Sequence, residues 1–184
     1  LPIAGEPREA TEYTEVYRAV RLRLRPLRRF VIGKHELYSE KLDAEDIDTL
    51  PGDWQTIFGS EFSGDALYCH TLEGIGNLAG KRCRIELGEV FYTCELFIDG
   101  VSLGVRCMAP FACDLPGDLL RDGSEISVRV SNTGANQFIS TDFTKHWQTS
   151  QIGPYDAITR NFEIESLAGG LYGPIRILAE NNDV

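Results

Sequence analysis

Side chains able to hold a polar ligand gather in one stretch of the chain, Thr133 to Thr159, and just beyond it. Trp147 and Tyr155 offer flat aromatic faces, against which the apolar side of a sugar ring can stack. Asn136, Gln137, Asp142, Gln148 and Arg160 carry planar polar groups, which present two hydrogen-bonding atoms in a fixed plane and so suit paired hydroxyls. Asn136, Asp142, Trp147, Gln148, Tyr155 and Arg160 are therefore the candidate carbohydrate-binding residues. The competing reading is that the aromatics plug onto the body of the domain or meet a neighbouring one.

Other reactive side chains carry less. Glu163 and Glu165 would share a strand face about 7 Å apart, a separation that two carboxylates need to flank a glycosidic bond. A solvated acidic strand explains them more simply. A Ser-His-Asp arrangement would draw on His35, His70 or His146, yet no GxSxG elbow accompanies them. His70 reads as a structural strand residue. HExxH, P-loop and strand-linked GxGxxG patterns are also missing from the sequence, so no catalytic residue is assigned. Asp43, Glu45, Asp46 and Asp48 form an acidic run without EF-hand spacing. The expectation is no cofactor, with a structural calcium ion as the minor alternative.

The elements that must position these groups are short and extended. Cys83, Ile85 and Leu87 alternate with Arg82, Arg84 and Glu86, and Cys94, Leu96 and Ile98 alternate with Thr93, Glu95 and Phe97. Asp99-Gly100 follows, a strong signal for a two-residue hairpin because a type I′ turn needs positive φ at both positions. Ile126, Val128 and Val130 alternate with Ser127, Arg129 and Ser131. Asp65 to Leu72, Pro110 to Leu115, Phe162 to Ile164 and Pro174 to Leu178 complete the strand candidates. Many short strands without a strong amphipathic helix predict an all-β sandwich or jelly roll. The stretch 133–159 then becomes a long loop, and loops of that size are usually functional or disordered.

Residues 1–45 read as a linker or approach segment, with an added helix or an edge strand as alternatives, and 46–184 as the sandwich. Ala10, Tyr13, Tyr17, Val20 and Leu24 fall at helical spacing. From Val20 onward, Leu22 and Leu24 instead alternate with arginines, and Pro26 favours an edge over a central strand. Leu42 to Pro51 reads as a loop. Six arginines lie between Arg18 and Arg29. They form either a basic patch for nucleic acid or acidic polysaccharide, or a solvated or domain-docking strand face, and the second is preferred.

The whole chain is acidic, with net charge −10 over 184 residues. That argues against nucleic acid as a partner, since phosphate binding is driven by Lys and Arg. No apolar run approaches the roughly 18 residues of a membrane span. A (β/α)8 barrel needs about 250 residues and does not fit. The five cysteines, Cys69, Cys83, Cys94, Cys107 and Cys113, lack a tight CxxC pair, which argues against a disulfide framework or a zinc site.

Three segments in order resemble a known family. They are GDWQTIFGSEFSGDALYCHTLE from Gly52, RCRIELGEVFYTCELFIDGVSLGVRCMAPFACDLPGDLLRDGSEISVRVSNTGAN from Arg82, and LAGGLYGPIRI from Leu167. Together, over roughly residues 50 to 178, they resemble the galactose-binding-like jelly-roll domain of glycoside hydrolase family 2. They resemble even more the related terminal domain of large α-L-rhamnosidase-type enzymes. Asp99 stands where that pattern often has Asn, and either suits the turn. Trp54 precedes the first sandwich strand of the pattern and is expected to be structural.

The resemblance implies an all-β, jelly-roll, galactose-binding-domain-like sandwich that is itself no enzyme. Its parent would be a glycoside hydrolase whose catalytic carboxylates lie in a separate barrel. The partners implied are that catalytic domain and an oligo- or polysaccharide. Leu1 opens the chain without Met, and GPIRI lies near its end, so a C-terminal piece of a longer polypeptide is expected. An autonomous carbohydrate-binding module and a protein-interaction sandwich are the alternatives. Cysteine usage leans towards a reducing cytoplasm, whereas relatives of this kind are often exported.

Overall fold

A computed structural model describes residues 12–32, 36–140 and 167–181. The strands are β1 (Tyr13–Ala19), β2 (Leu22–Ile32), β3 (Leu37–Lys41), β4 (Ile47–Thr49), β5 (Gly64–Thr71), β6 (Arg82–Glu86), β7 (Val90–Phe91), β8 (Thr93–Ile98), β9 (Val101–Arg106), β10 (Ala112–Pro116), β11 (Glu125–Ser131), β12 (Gly170–Leu171) and β13 (Ile175–Glu180). Among the described residues, two short α-helices, α1 (Gln55–Phe58) and α2 (Ala135–Ser140), and a single 3-10 turn at Gly117–Leu119 stand between them.

One sheet runs β1-β13-β6-β10; the facing sheet runs β3-β2-β5-β11-β8-β9, with β4 also on β2. All the strand pairs are antiparallel. The fold is an all-β jelly-roll sandwich, in which strands distant in sequence lie side by side. β5 and β11 form the middle of the larger sheet, and the small β7–β12 pair closes one end.

The interior follows the period-two pattern. Cys83, Ile85, Ile175, Ile177 and Ala179 line it from one sheet, and Leu22, Leu24, Tyr68, Leu96, Ile98, Ile126, Val128 and Val130 from the other; all are buried. Each fully buried aliphatic side chain contributes about 1.5–3 kcal/mol. The β8–β9 hairpin turns at Asp99-Gly100 with φ of 47° and 77°, as its type I′ signal predicts. The Asp99 carboxylate also accepts hydrogen bonds from the Glu125 amide (2.8 Å) and the Ser124 hydroxyl (3.1 Å), which ties the turn to the start of β11.

The N-terminal region differs from its helical spacing. Tyr13–Ala19 is an edge strand paired with β13. β2 is an interior strand rather than an edge, flanked by β5 on one side and β3 and β4 on the other. Pro26 is tolerated there because the β2–β5 register slips between Pro26 and Arg28, a bulge at which the missing N–H breaks no regular ladder. The acidic loop contributes the three-residue strand β4. The predicted strand at Phe162–Ile164 lies outside the described residues. Among the described residues no helix is long and apolar enough to cross a membrane.

All five cysteines are free. Cys83 and Cys94 are core residues, and burial pushes the Cys94 thiol up to about 11. His70 is structural: its Nδ1 lies 3.0 Å from the Arg21 carbonyl, which can only accept, so Nδ1 carries a proton. Its Nε2 lies 2.9 Å from the Tyr17 hydroxyl and links β5 to the edge strand of the other sheet.

Candidate functional site

The candidate site is the end of the sandwich where residues 52–54, 132–136 and 167–172 meet. Its foundation is Trp54, buried to 1% exposure. The indole Nε1 donates to the Tyr68 hydroxyl at 2.7 Å, and the Leu171 amide donates to the same oxygen at 3.1 Å. Burial, only partly offset by these bonds, pushes the Tyr68 phenol up to about 12, so it stays neutral.

The backbones interlock as well. The Gly52 amide donates to the Leu171 carbonyl at 2.7 Å, and the Trp54 amide donates to the Gly169 carbonyl at 2.9 Å. The Asp53 carboxylate accepts from the amides of Gln55 (3.0 Å) and Gly169 (3.3 Å). Burial and a hydrogen bond with Asp53 push the Tyr172 phenol well above its ordinary value. Gly170 has φ of +109°, and a Cβ there would lie 2.8 Å from the Trp54 ring and from the Gly52 carbonyl oxygen. The GDW and LAGGLYG motifs are thus two halves of one lock. Trp54 further packs against Phe62 edge-on at 5.4 Å and against Phe58 at 6.0 Å.

Two asparagines clasp backbone groups at this end. Asn132 accepts from the Gly64 amide (2.7 Å) and donates to the Phe62 carbonyl (2.9 Å). Asn136 donates to the Leu167 carbonyl (2.7 Å) and accepts from the Leu167 amide (2.6 Å). Of the candidate carbohydrate-binding residues, Asn136 is therefore buried, with both ends of its amide committed to the backbone. Gln137 borders an indentation of about 200 Å³ with Phe58, Glu61, Phe62 and Arg29. Asp142, Trp147, Gln148, Tyr155 and Arg160 lie outside the described residues, as do His35, His146, Glu163 and Glu165.

A second cluster sits on the outer face of the larger sheet, and sequence reading missed it. Asp65 is buried, although it points away from the core. Its carboxylate accepts from the Ser131 hydroxyl (2.6 Å), Arg129 Nη2 (2.7 Å) and Arg28 Nε (2.9 Å), and Arg28 Nη2 bonds to it as well. Burial by itself raises this carboxyl, but the Ser131, Arg28 and Arg129 bonds outweigh it and hold Asp65 below the usual carboxylate range. A glycosidase general acid needs the opposite shift. The available signal was an acid at the start of an otherwise largely apolar strand pattern, Asp65 to Leu72.

Five of the six arginines have acidic partners. Arg18 pairs with Glu15, Arg23 with Glu125 and Asp46, Arg25 with Asp46, Arg28 with Asp65, and Arg29 with Glu40. Asp46 in the acidic run is thereby a partner of two arginines. Among the described residues, no group of three or more His, Cys, Asp or Glu side chains converges as a metal site.

No family model matches the chain. A Formosa agariphila protein assigned as a beta-glucuronidase is 26% identical to it, over 63% of this chain and 12% of the relative. Among solved structures, a rhamnosidase from Novosphingobium sp. PP1Y superposes over 95% of this chain and 16% of its own, with a TM-score of 0.62 and 18% identity. The beta-glucuronidase of Faecalibacterium prausnitzii matches over 98% of this chain and 33% of its own, with a TM-score of 0.54 and 15% identity. That of Bifidobacterium dentium matches over 98% and 32%, with a TM-score of 0.54 and 12% identity. These likenesses establish the fold: the chain resembles a small all-β part of much longer glycosidases. It spans 12% of the curated relative and 16% of the rhamnosidase.

Proposed function

We propose that this chain is a non-catalytic β-sandwich domain of a larger glycoside hydrolase, acting beside a catalytic domain of the same polypeptide. One observation carries the reading. The fold matches over 95% of this chain while filling only 16% of the rhamnosidase, so most of that enzyme lies beyond the matched part.

The finer reading is a galactose-binding-like sandwich. In it, the segment holding Asp142, Trp147, Gln148, Tyr155 and Arg160 leans on the substrate or on the catalytic domain. The second reading, an autonomous carbohydrate-binding module, is favoured by the indentation beside Phe58, Phe62 and Gln137 at the base of that segment.

Assays of the purified 184-residue chain against a panel of aryl glycosides test the first reading. No hydrolysis is expected. Turnover proportional to chain concentration and abolished by a single Glu or Asp substitution would overturn it. Calorimetric titration with neutral oligosaccharides separates the second reading, because saturable binding by the chain alone marks an autonomous module.

A further inference from the structure

We propose that a cationic cleft on the outer face of the larger sheet binds the carboxylate group of a small acidic ligand. The cleft measures about 570 Å³ and is lined by Arg25, Leu27, Arg28, Lys41, Asp43 and Arg129, among others. That size falls within the range of small-molecule sites.

The bulge in β2 places its central group. Before the slip, Leu22 and Leu24 face the core, while Arg23 and Arg25 face out. The slip between Pro26 and Arg28 inserts one residue, so Arg28 sits opposite Asp65 and over the outer face. Arg129 arrives from the other side, on β11, two register positions from Ser131 and so on the same face; Ser131 is the register partner of Asp65. Lys41 pairs with Arg28 across β2 and β3.

Asp65 pre-organises this pair without covering it. The carboxylate side chain is 2% exposed, whereas Arg28 is 42% and Arg129 36% exposed. Both guanidiniums bond to one oxygen, Oδ2, and each keeps unused N–H groups. The Nε of Arg129 has no partner and is buried, so Arg129 meets the cleft through its terminal Nη groups. Two planar forks held in place suit bidentate recognition of a carboxylate.

Charge selects among anions. Arg25 is cancelled by Asp46 at 2.5 Å. Arg28, Arg129 and Lys41 then face Asp65 beneath and Asp43 at the rim, which leaves one positive charge in excess. A single excess charge matches a monoanion such as a carboxylate better than a phosphate dianion. This local surplus stands out in a chain of net charge −10. The inference rests on the cleft alone and survives failure of the hydrolase reading.

The test is calorimetric titration of the 184-residue chain with galacturonate, with galactose (its neutral counterpart) and with acetate. Saturable galacturonate binding that weakens with salt is expected, with none for galactose. Acetate competing for the site would show that the carboxylate suffices. Acetate failing where galacturonate succeeds would show that the ring contributes; either result keeps the proposal. Arg129→Lys retains charge but loses the fork and should weaken binding about tenfold or more. Lys41→Gln should weaken it severalfold, and thermal melting confirms that each variant folds. Arg82→Gln, the same charge change on the other sheet, should leave affinity unchanged. The proposal fails if no carboxylate binds saturably, if galactose binds equally, or if Arg82→Gln weakens binding as much as Lys41→Gln.

Discussion

Two polar clusters in this sandwich solve burial in opposite ways. The groups that Trp54 itself engages are neutral: an indole, a phenol and backbone amides close on one another inside the core end, with the Asp53 carboxylate at their margin. Around Asp65 the partners are charged and lie on the outer face, where one sunken carboxylate gathers two half-exposed guanidiniums. The Trp54–Tyr68 core of the first cluster depends on shape and carries no charge for salt to screen. The charged cluster depends on ionisation and leaves hydrogen-bonding capacity facing solvent. A scaffold joint suits the first description and a ligand-facing surface the second.

The largest effect that would sharpen this contrast is Trp54→Ala. Emptying that position should cost about 3–5 kcal/mol in denaturant unfolding, with no dependence on salt. A loss below 1 kcal/mol would mean that Trp54 is not the joint. Asp65→Asn should cost about 2–3 kcal/mol, towards the low end of buried-pair losses because both guanidiniums are more than a third exposed.

The same residue fixes an acid dependence. The folded carboxyl of Asp65 lies below its unfolded value of about 3.9. Its stabilisation is therefore complete above that pH and is lost as pH falls through the lowered folded value. Melting curves taken below pH 4 should show a steeper loss for the native chain than for Asp65→Asn. Parallel curves would break the comparison.

Tyr68→Phe leaves the Trp54 indole N–H and the Leu171 amide without an acceptor and should cost about 1–3 kcal/mol. Smallest of all, Arg29→Gln removes an exposed pair with Glu40 and should change stability by less than about 1 kcal/mol. A large Arg29 effect would mean that an exposed pair outside the Asp65 cluster also holds β2 to β3.

Much of the fold was legible in residue alternation. Ile85, Leu96 and Val128 were expected inside and are buried at 0%, 4% and 0% exposure, because a strand with one dry face must repeat every second residue. The bulge in β2 was not legible: Pro26 signals a broken ladder but not whether the break lies at an edge or within a sheet. The partnership of β1 with β13 joins the two ends of the described chain, and local pattern carries no record of it. Asn136 shows the limit for the candidate site. Its amide fits a ligand as well as it fits a backbone, and only the approach of Leu167 decides which one it meets. Asp65 escaped notice because its two arginines come from strands distant in sequence.

The asparagine anchors have a practical corollary. Asn132 and Asn136 grip Gly64, Phe62 and Leu167 only through backbone groups, so these clasps do not depend on the side chains at Phe62 or Leu167. Exchanging either asparagine for aspartate removes the amide donor and keeps the acceptor, which opens one half of its clasp.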